Sequence, residues 1–241
     1  MDPVLLLSAL LLMAFGLLGV GVAEPNLLPN HLLRISVALG AMILGLLLPP
    51  ERLLRHARFL LAATMVLLVA VLIVGSGPGG VRRWFYLGPL AFQPSELAKV
   101  VLVYYLASFV GRKGNDYPIV GAAGLVGLAA GLVLVEPDFA TALFLVTLAG
   151  LLFILAGVPW RRLIMVSLAG AMALAPFSGL YFARFRYVSE RFTSFLDYLQ
   201  GEANPSQTAY QVLQAQKALI LAGPLGQGPS GNLPHLPEAH N

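Results

Sequence analysis

Seven apolar stretches follow one another along this chain, at about 4–23, 32–48, 59–75, 95–110, 118–135, 139–157 and 163–183, and each reads as a candidate bilayer crossing. No other feature narrows the fold as far. Lipid offers no partners to backbone amides, so a crossing segment must satisfy them internally, as a helix does. The stretch from Tyr117 to Val158 is nearly continuous apolar sequence, broken in the middle by Glu136-Pro137-Asp138. The expected fold is an all-α polytopic membrane protein with about seven transmembrane helices. Composition closes off the alternative, since 58% of the 241 residues are hydrophobic and only 11% are charged. Such a chain is no soluble globule.

The first segment is expected to be a retained span and not a cleavable signal: residues 1–3 have no basic side chain, and Val4–Ala23 is long enough to span and stay. The absence of cysteine excludes disulfides and thiolate metal sites. The net charge of +4 does not gather into a patch that would suit nucleic acid. One set of loops instead carries Arg52, Arg55 and Arg58, then Arg112 and Lys113, then Arg161 and Arg162. The short loops opposite carry only Arg82 and Arg83. The positive-inside rule then places the N-terminus in the cytoplasm and the end of the chain outside. Two regions are expected: a helical bundle over 1–183 and an extracytoplasmic loop over 184–241.

That loop opens on Arg184, Arg186 and Arg191. Within it, Asn204-Pro205-Ser206-Gln207 reads as a helix start, with Asn204 as N-cap and Pro205 in the first position. The helix would carry Ala209, Val212, Leu213, Gln216 and Ile220 on one side and end at Gly223-Pro224. Its amides and Lys217 make it too polar to span, so it is expected to lie along the interface. The remainder, rich in glycine and proline, reads as irregular loop. No fold-closing segment follows it, and the loop is expected to be incomplete at Asn241. We expect the membrane helices to hold it over a lipid-borne substrate.

Several outward residues are candidates for chemistry. Arg82 and Arg83 run against the charge trend, and a guanidinium fork suits phosphate or pyrophosphate. The plainer reading is interfacial anchoring beside Trp84 and Tyr86. In Gln93-Pro94-Ser95-Glu96-Leu97-Ala98-Lys99, Pro94 and Glu96 suit a helix start, and Glu96 can pair with Lys99 three residues on. A lysine one turn into a membrane helix is costly and usually faces a polar cavity. Glu136 and Asp138 flank a proline between two spans. They could end one helix and cap the next, or hold Mg²⁺ or Mn²⁺ against a pyrophosphate. His31, His56 and His235 are isolated, and His240 beside Glu238 makes no metal site by itself.

These blocks together resemble the SEDS family, the FtsW, RodA and SpoVE proteins of bacterial division, elongation and sporulation. The resemblance runs through Arg82-Arg83-Trp84, the Gln93–Lys99 block, and Glu136-Pro137-Asp138-Phe139-Ala140-Thr141, where relatives usually carry glycine in place of Ala140. It continues at Arg191 with Phe195-Leu196-Asp197, at Tyr210-Gln211, and at Leu236-Pro237-Glu238-Ala239-His240-Asn241. Tyr198, Pro224 and Pro229 depart from the usual pattern. The family would have ten spans, and relatives place an aspartate, thought essential, just after the position of Asn241. Ala239-His240-Asn241 leans toward the division members.

The resemblance implies a glycosyltransferase that polymerises lipid II with undecaprenyl pyrophosphate as leaving group. The expected catalytic residues are Glu136, Asp138 and Arg191, with the general-base aspartate beyond Asn241. Arg82, Arg83, Trp84, Ser95, Glu96, Lys99, Thr141, Tyr210, Gln211, Glu238 and His240 are the expected substrate-binding residues. The implied partners are a class B penicillin-binding protein and other division or elongation membrane proteins, in a bacterial plasma membrane. Two rivals stand beside this reading: a lipid II flippase and a non-catalytic scaffold. Transporters tend to bind at mid-bilayer, whereas the polar residues here cluster toward one face.

Overall fold

A computed structural model of the chain describes residues 3–77, 80–113, 119–184, 193 and 216–223. Seven helices coincide with the seven apolar segments: α1 (Pro3–Ala23), α2 (Leu28–Leu47), α3 (Pro50–Val74), α4 (Pro94–Lys113), α5 (Val120–Val135), α6 (Phe139–Leu155) and α7 (Trp160–Arg184). Among the described residues, Pro3–Ala23, Pro25–Leu47 and Pro50–Val74 are long and apolar enough to cross a membrane unaided, while α5 and α6 are shorter. Helices α2, α3 and α7 start earlier than hydropathy implies. Pro50 opens α3 at a position where its missing N–H costs nothing, so Arg52, Arg55 and Arg58 lie on the first turns of a helix. They were expected in a loop. Likewise Arg112 belongs to the end of α4, and Arg161 and Arg162 to the start of α7. Hydropathy marks the lipid-facing length, whereas backbone hydrogen bonding continues past it.

The described residues fall into two units. One contains α1 and α2, joined through a short 3₁₀ turn at Pro25–Leu27, and neither helix buries a residue. The other contains α3 to α7 and has a core. Its buried positions form stripes on α3 to α6, among them Ala57, Leu61, Thr64, Leu68 and Val71 on α3, and Ala142, Leu145, Ala149 and Phe153 on α6. Steps of three and four are what a straight helix seam requires. On α5 the stripe is Ala122, Val126, Ala129, Ala130 and Val133. Lipid supplies little hydrophobic drive between helices, so contact depends on close packing, which alanines permit. The opposite faces are equally apolar and stay exposed, as with Phe144 and Leu151.

Between α3 and α4 lies a feature that hydropathy does not reveal. Strands β1 (Phe85–Leu87) and β2 (Leu90–Phe92) form an antiparallel hairpin in the register Phe85 to Phe92, Tyr86 to Ala91 and Leu87 to Leu90. The two-residue connection needs positive φ at its first position, and Gly88 supplies φ 62. The Phe85 and Phe92 rings stack with centroids 6.4 Å apart. Behind the hairpin, Ser76 and Trp84 exchange two backbone hydrogen bonds of 3.0 Å. A Cβ at Gly77 would lie 2.7 Å from the Val81 carbonyl oxygen, so only glycine closes this loop. In the segment 216–222 the chain is helical, and Gly223 ends it with φ 66 and an N–H bond to Leu219, as expected. The expected start of that helix at Asn204 lies outside the described residues.

Candidate functional site at the Glu136–Asp138 turn

The site is built where α5 hands over to α6. Glu136 is the C-cap of α5, its N–H bonding the Leu132 carbonyl at 3.2 Å. Asp138 is the N-cap of α6, and its Oδ1 accepts from the Thr141 N–H at 3.1 Å. Its Oδ2 accepts from Gln93 Nε2 at 3.3 Å. Gln93, nine-tenths buried just ahead of α4, therefore ties a third element to the turn. Arg83, from the irregular segment leading into the hairpin, donates Nε to the Glu136 carbonyl at 2.5 Å and Nη2 to the Pro137 carbonyl. These carbonyls follow the C-terminal end of α5, where unsatisfied acceptors and the helix dipole favour a cation.

Charge at this turn is unbalanced. Glu136 is 0% exposed, and neither carboxyl oxygen has a hydrogen-bond partner. Burial above all, then the neighbouring Asp138 charge, pushes its pKa up to about 8, against a smaller lowering by Arg83. Near neutrality it holds its proton. Ser95, two residues past Gln93, is also 0% exposed, and its hydroxyl lacks a partner. Native interiors pair nearly all such groups, so two orphans call for explanation.

The other expected residues divide sharply. Arg82 donates Nη1 to the carbonyls of Leu72 at 3.1 Å and Ile73 at 2.9 Å, capping α3. Trp84 is held by its backbone ladder with Ser76. Glu96 and Lys99 pair at 2.6 Å on the exposed side of α4, with the ammonium 5.5 Å from the centre of the Phe144 ring on α6. Thr141 contributes its N–H to the cap. Arg191, Tyr210, Gln211, Glu238 and His240 lie outside the described residues. The structure thus joins Arg83, Glu136, Asp138 and Thr141 in one cluster and adds Gln93, which sequence reasoning quoted but gave no role. Its one signal was a polar amide immediately before a helix-opening proline.

A resident divalent cation fits this cluster poorly. Among the described residues no group of three or more His, Cys, Asp or Glu could hold a metal ion. Both oxygens of Asp138 already accept hydrogen bonds.

Fold and site together define a helical, multi-pass membrane protein whose described polar cluster gathers where α5 meets α6. The chain belongs to the FtsW/RodA/SpoVE family, described as cell cycle proteins, which it matches over residues 5–241. It is 35% identical to the probable peptidoglycan glycosyltransferase FtsW of Tolumonas auensis, covering 96% of this chain and 64% of that protein. It is 30% identical to the peptidoglycan glycosyltransferase MrdB of Escherichia coli K12, covering 100% of this chain and 66% of the relative. Against the crystal structure of the rod shape determining protein RodA from Thermus thermophilus the TM-score is 0.60 at 34% identity, over 70% of this chain and 57% of the other. Against a chain from a peptidoglycan synthase complex that coordinates polymerization and crosslinking it is 0.62 at 29% identity, over 87% and 64%. The chain thus spans less than two thirds of the FtsW relatives of Tolumonas auensis (64%) and Nitrosococcus halophilus (47%).

Proposed function

We propose that the complete protein is a peptidoglycan glycosyltransferase of a bacterial plasma membrane, polymerising lipid II for cell division or elongation. One observation carries the reading. The arginine, amide and acids of three separate motif blocks meet at a single turn, in a family whose curated relatives are named for this activity. The orientation with the N-terminus in the cytoplasm is supported by Arg52, Arg55, Arg58, Arg112, Arg161 and Arg162 near helix ends. Arg112 reaches across to the Leu54 carbonyl at 3.4 Å, so α3 begins and α4 ends on the same side. The Glu136–Asp138 turn lies at the other ends of α5 and α6.

In the reaction, the 4-hydroxyl of the acceptor sugar attacks the anomeric carbon of the donor, and undecaprenyl pyrophosphate departs with inversion. The hydroxyl proton goes to a general base, whose help is worth roughly 10²–10⁴ in rate. Glu136 is a poor base, since it already carries a proton near pH 7. Neutral, it does not repel the pyrophosphate and keeps an O–H to donate to the oxygens where charge develops, which neither alanine nor leucine can supply. The resemblance implies the aspartate expected after Asn241 as the base, and Arg191 is one candidate for stabilising the leaving group's charge. A Mg²⁺ or Mn²⁺ ion brought with the substrate would be held by Glu136 and Asp138 only once Glu136 gave up its proton, with oxygens of the substrate as further ligands, and would there offset pyrophosphate charge. A class B penicillin-binding protein is the proposed partner.

Transport of lipid II is less well supported. The buried stripes of α3, α5 and α6 carry one polar residue, Thr64, which bonds back to the Leu60 carbonyl of its own helix. The test is purified complete protein with lipid II in detergent, where no second compartment exists. Glycan strands are expected, and Glu136→Ala or Arg191→Ala should abolish them. Lipid II moving between leaflets of a vesicle with no glycan formed would favour the flippase instead. Intact partner binding without either activity would leave the scaffold.

A further inference from the structure

The two arginines before Trp84 read in sequence as pyrophosphate ligands, yet the structure gives Arg83 other work. Its Nε and Nη2 donate to the carbonyls of Glu136 and Pro137, more than fifty residues away in sequence. That edge of a guanidinium is one that grips phosphate or carboxylate side-on. Here it spans two consecutive backbone oxygens. The neighbouring residue is fixed as well, since Trp84 exchanges both backbone bonds with Ser76 at the end of α3. The turn so gripped carries Asp138, whose two oxygens are then aimed by the Thr141 N–H and the buried Gln93 amide.

We infer that Arg83 is a positioning residue, which acts on catalysis by clamping the backbone of the Glu136–Asp138 turn rather than by binding the substrate's pyrophosphate. The inference rests on the glycosyltransferase reading for its effect on rate, but the clamp itself does not. Lysine in its place keeps the charge and loses the fork, because an ammonium is a point donor that cannot span two carbonyls in the same fixed geometry.

The experiment uses the complete polypeptide with Arg83→Lys and, as a second variant, Arg83→Met, each checked for monodisperse insertion. Amide exchange is followed at Thr141 and Ala142, whose N–H groups bond to Asp138. Lipid II polymerisation is measured alongside. Both variants should exchange about tenfold faster at these amides, as local opening becomes easier. In both, kcat should fall by about 100-fold, the scale of a small misplacement, with KM for lipid II unchanged within about threefold. Unchanged exchange would overturn the clamp. A raised KM with kcat kept, or activity restored by lysine but not by methionine, would make Arg83 a headgroup ligand and overturn the inference. If the unmutated protein forms no glycan, the glycosyltransferase reading fails by itself, and the exchange measurement still judges the clamp.

Discussion

Glu96 and Glu136 are both acids beside a helix terminus, and both come from motif blocks of the family, yet they meet opposite fates. Glu96 is 56% exposed and neutralised by Lys99 at 2.6 Å, one turn along its own helix. Glu136 is fully buried, has no hydrogen-bond partner at either oxygen, and shares its turn with a second acid. The first manages its charge by pairing in a wet, screened place, where such a pair is worth little. The second manages it by keeping a proton. A group kept at that cost is a better candidate for function than one whose neighbour explains it, because structure alone would have selected an apolar side chain.

The sharpest way to break the contrast is Glu136→Leu. Removing an unsatisfied buried carboxyl for a similar apolar volume should stabilise the protein by about 1–3 kcal/mol. Glycan formation should nonetheless fall by about 100-fold or more, the range of a lost hydrogen-bond donor to developing charge. Thermal midpoints in detergent and gel analysis of the glycan decide it. A destabilised variant with full activity would make Glu136 a structural residue and dissolve the contrast.

The pH dependence comes next in size. The pKa of Glu136 is raised from 4.5 to about 8 in the folded protein. Between those values the native state holds a proton that the unfolded chain gives up. Its stabilising contribution is therefore complete below the unfolded pKa, declines as pH rises, and is lost once pH passes about 8. Thermal midpoints measured from pH 5 to pH 9 should fall across that range, and Glu136→Gln should flatten the slope. A slope identical in the variant would mean that another group carries it.

Asp138 provides a smaller, local test. Asp138→Ala removes the α6 cap and the Gln93 contact, and should cost about 1–2 kcal/mol. Asp138→Asn keeps an acceptor for the Thr141 N–H and should cost a few tenths, because the two residues cap almost equally well. Equal losses in both variants would show that charge, and not the cap, is what Asp138 provides to stability.

Much of this arrangement was legible beforehand, for reasons that can be named. Each helix had an apolar run to mark it, and Glu136-Pro137-Asp138 announced a break because proline and capping residues act locally. Gly223 ended its helix for the same reason. The hairpin was not legible: Phe85–Leu87 and Leu90–Phe92 are three-residue strands, too short for alternation to register. The starts of α3 and α7 were misjudged, since charged first turns look like loop to any measure of hydropathy. Around the site, the pairing of Glu96 with Lys99 followed from spacing. The burial of Glu136 and the reach of Arg83 to two distant carbonyls are tertiary facts, which no local pattern encodes.

The smallest effect is expected where the sequence looked most eventful, at Glu96 and Lys99. Their contact is short, and the ammonium also stands over Phe144. Yet Glu96 is more than half exposed and Lys99 is 28% exposed. Solvent therefore competes for both charges, and holding two long side chains in one geometry costs entropy. A double-mutant cycle with Glu96→Gln and Lys99→Met should give a coupling of about 0.3–0.5 kcal/mol, falling as salt is added. The cation–π contact should appear separately, as a loss of about 0.5–1 kcal/mol when Phe144 becomes leucine while Lys99 is present, and none when it is absent. A coupling several times larger and indifferent to salt would mean that the pair is shielded from water. Glu96 would then belong with Glu136 among the groups whose charge the protein manages by enclosure, and exposure would no longer separate the two acids.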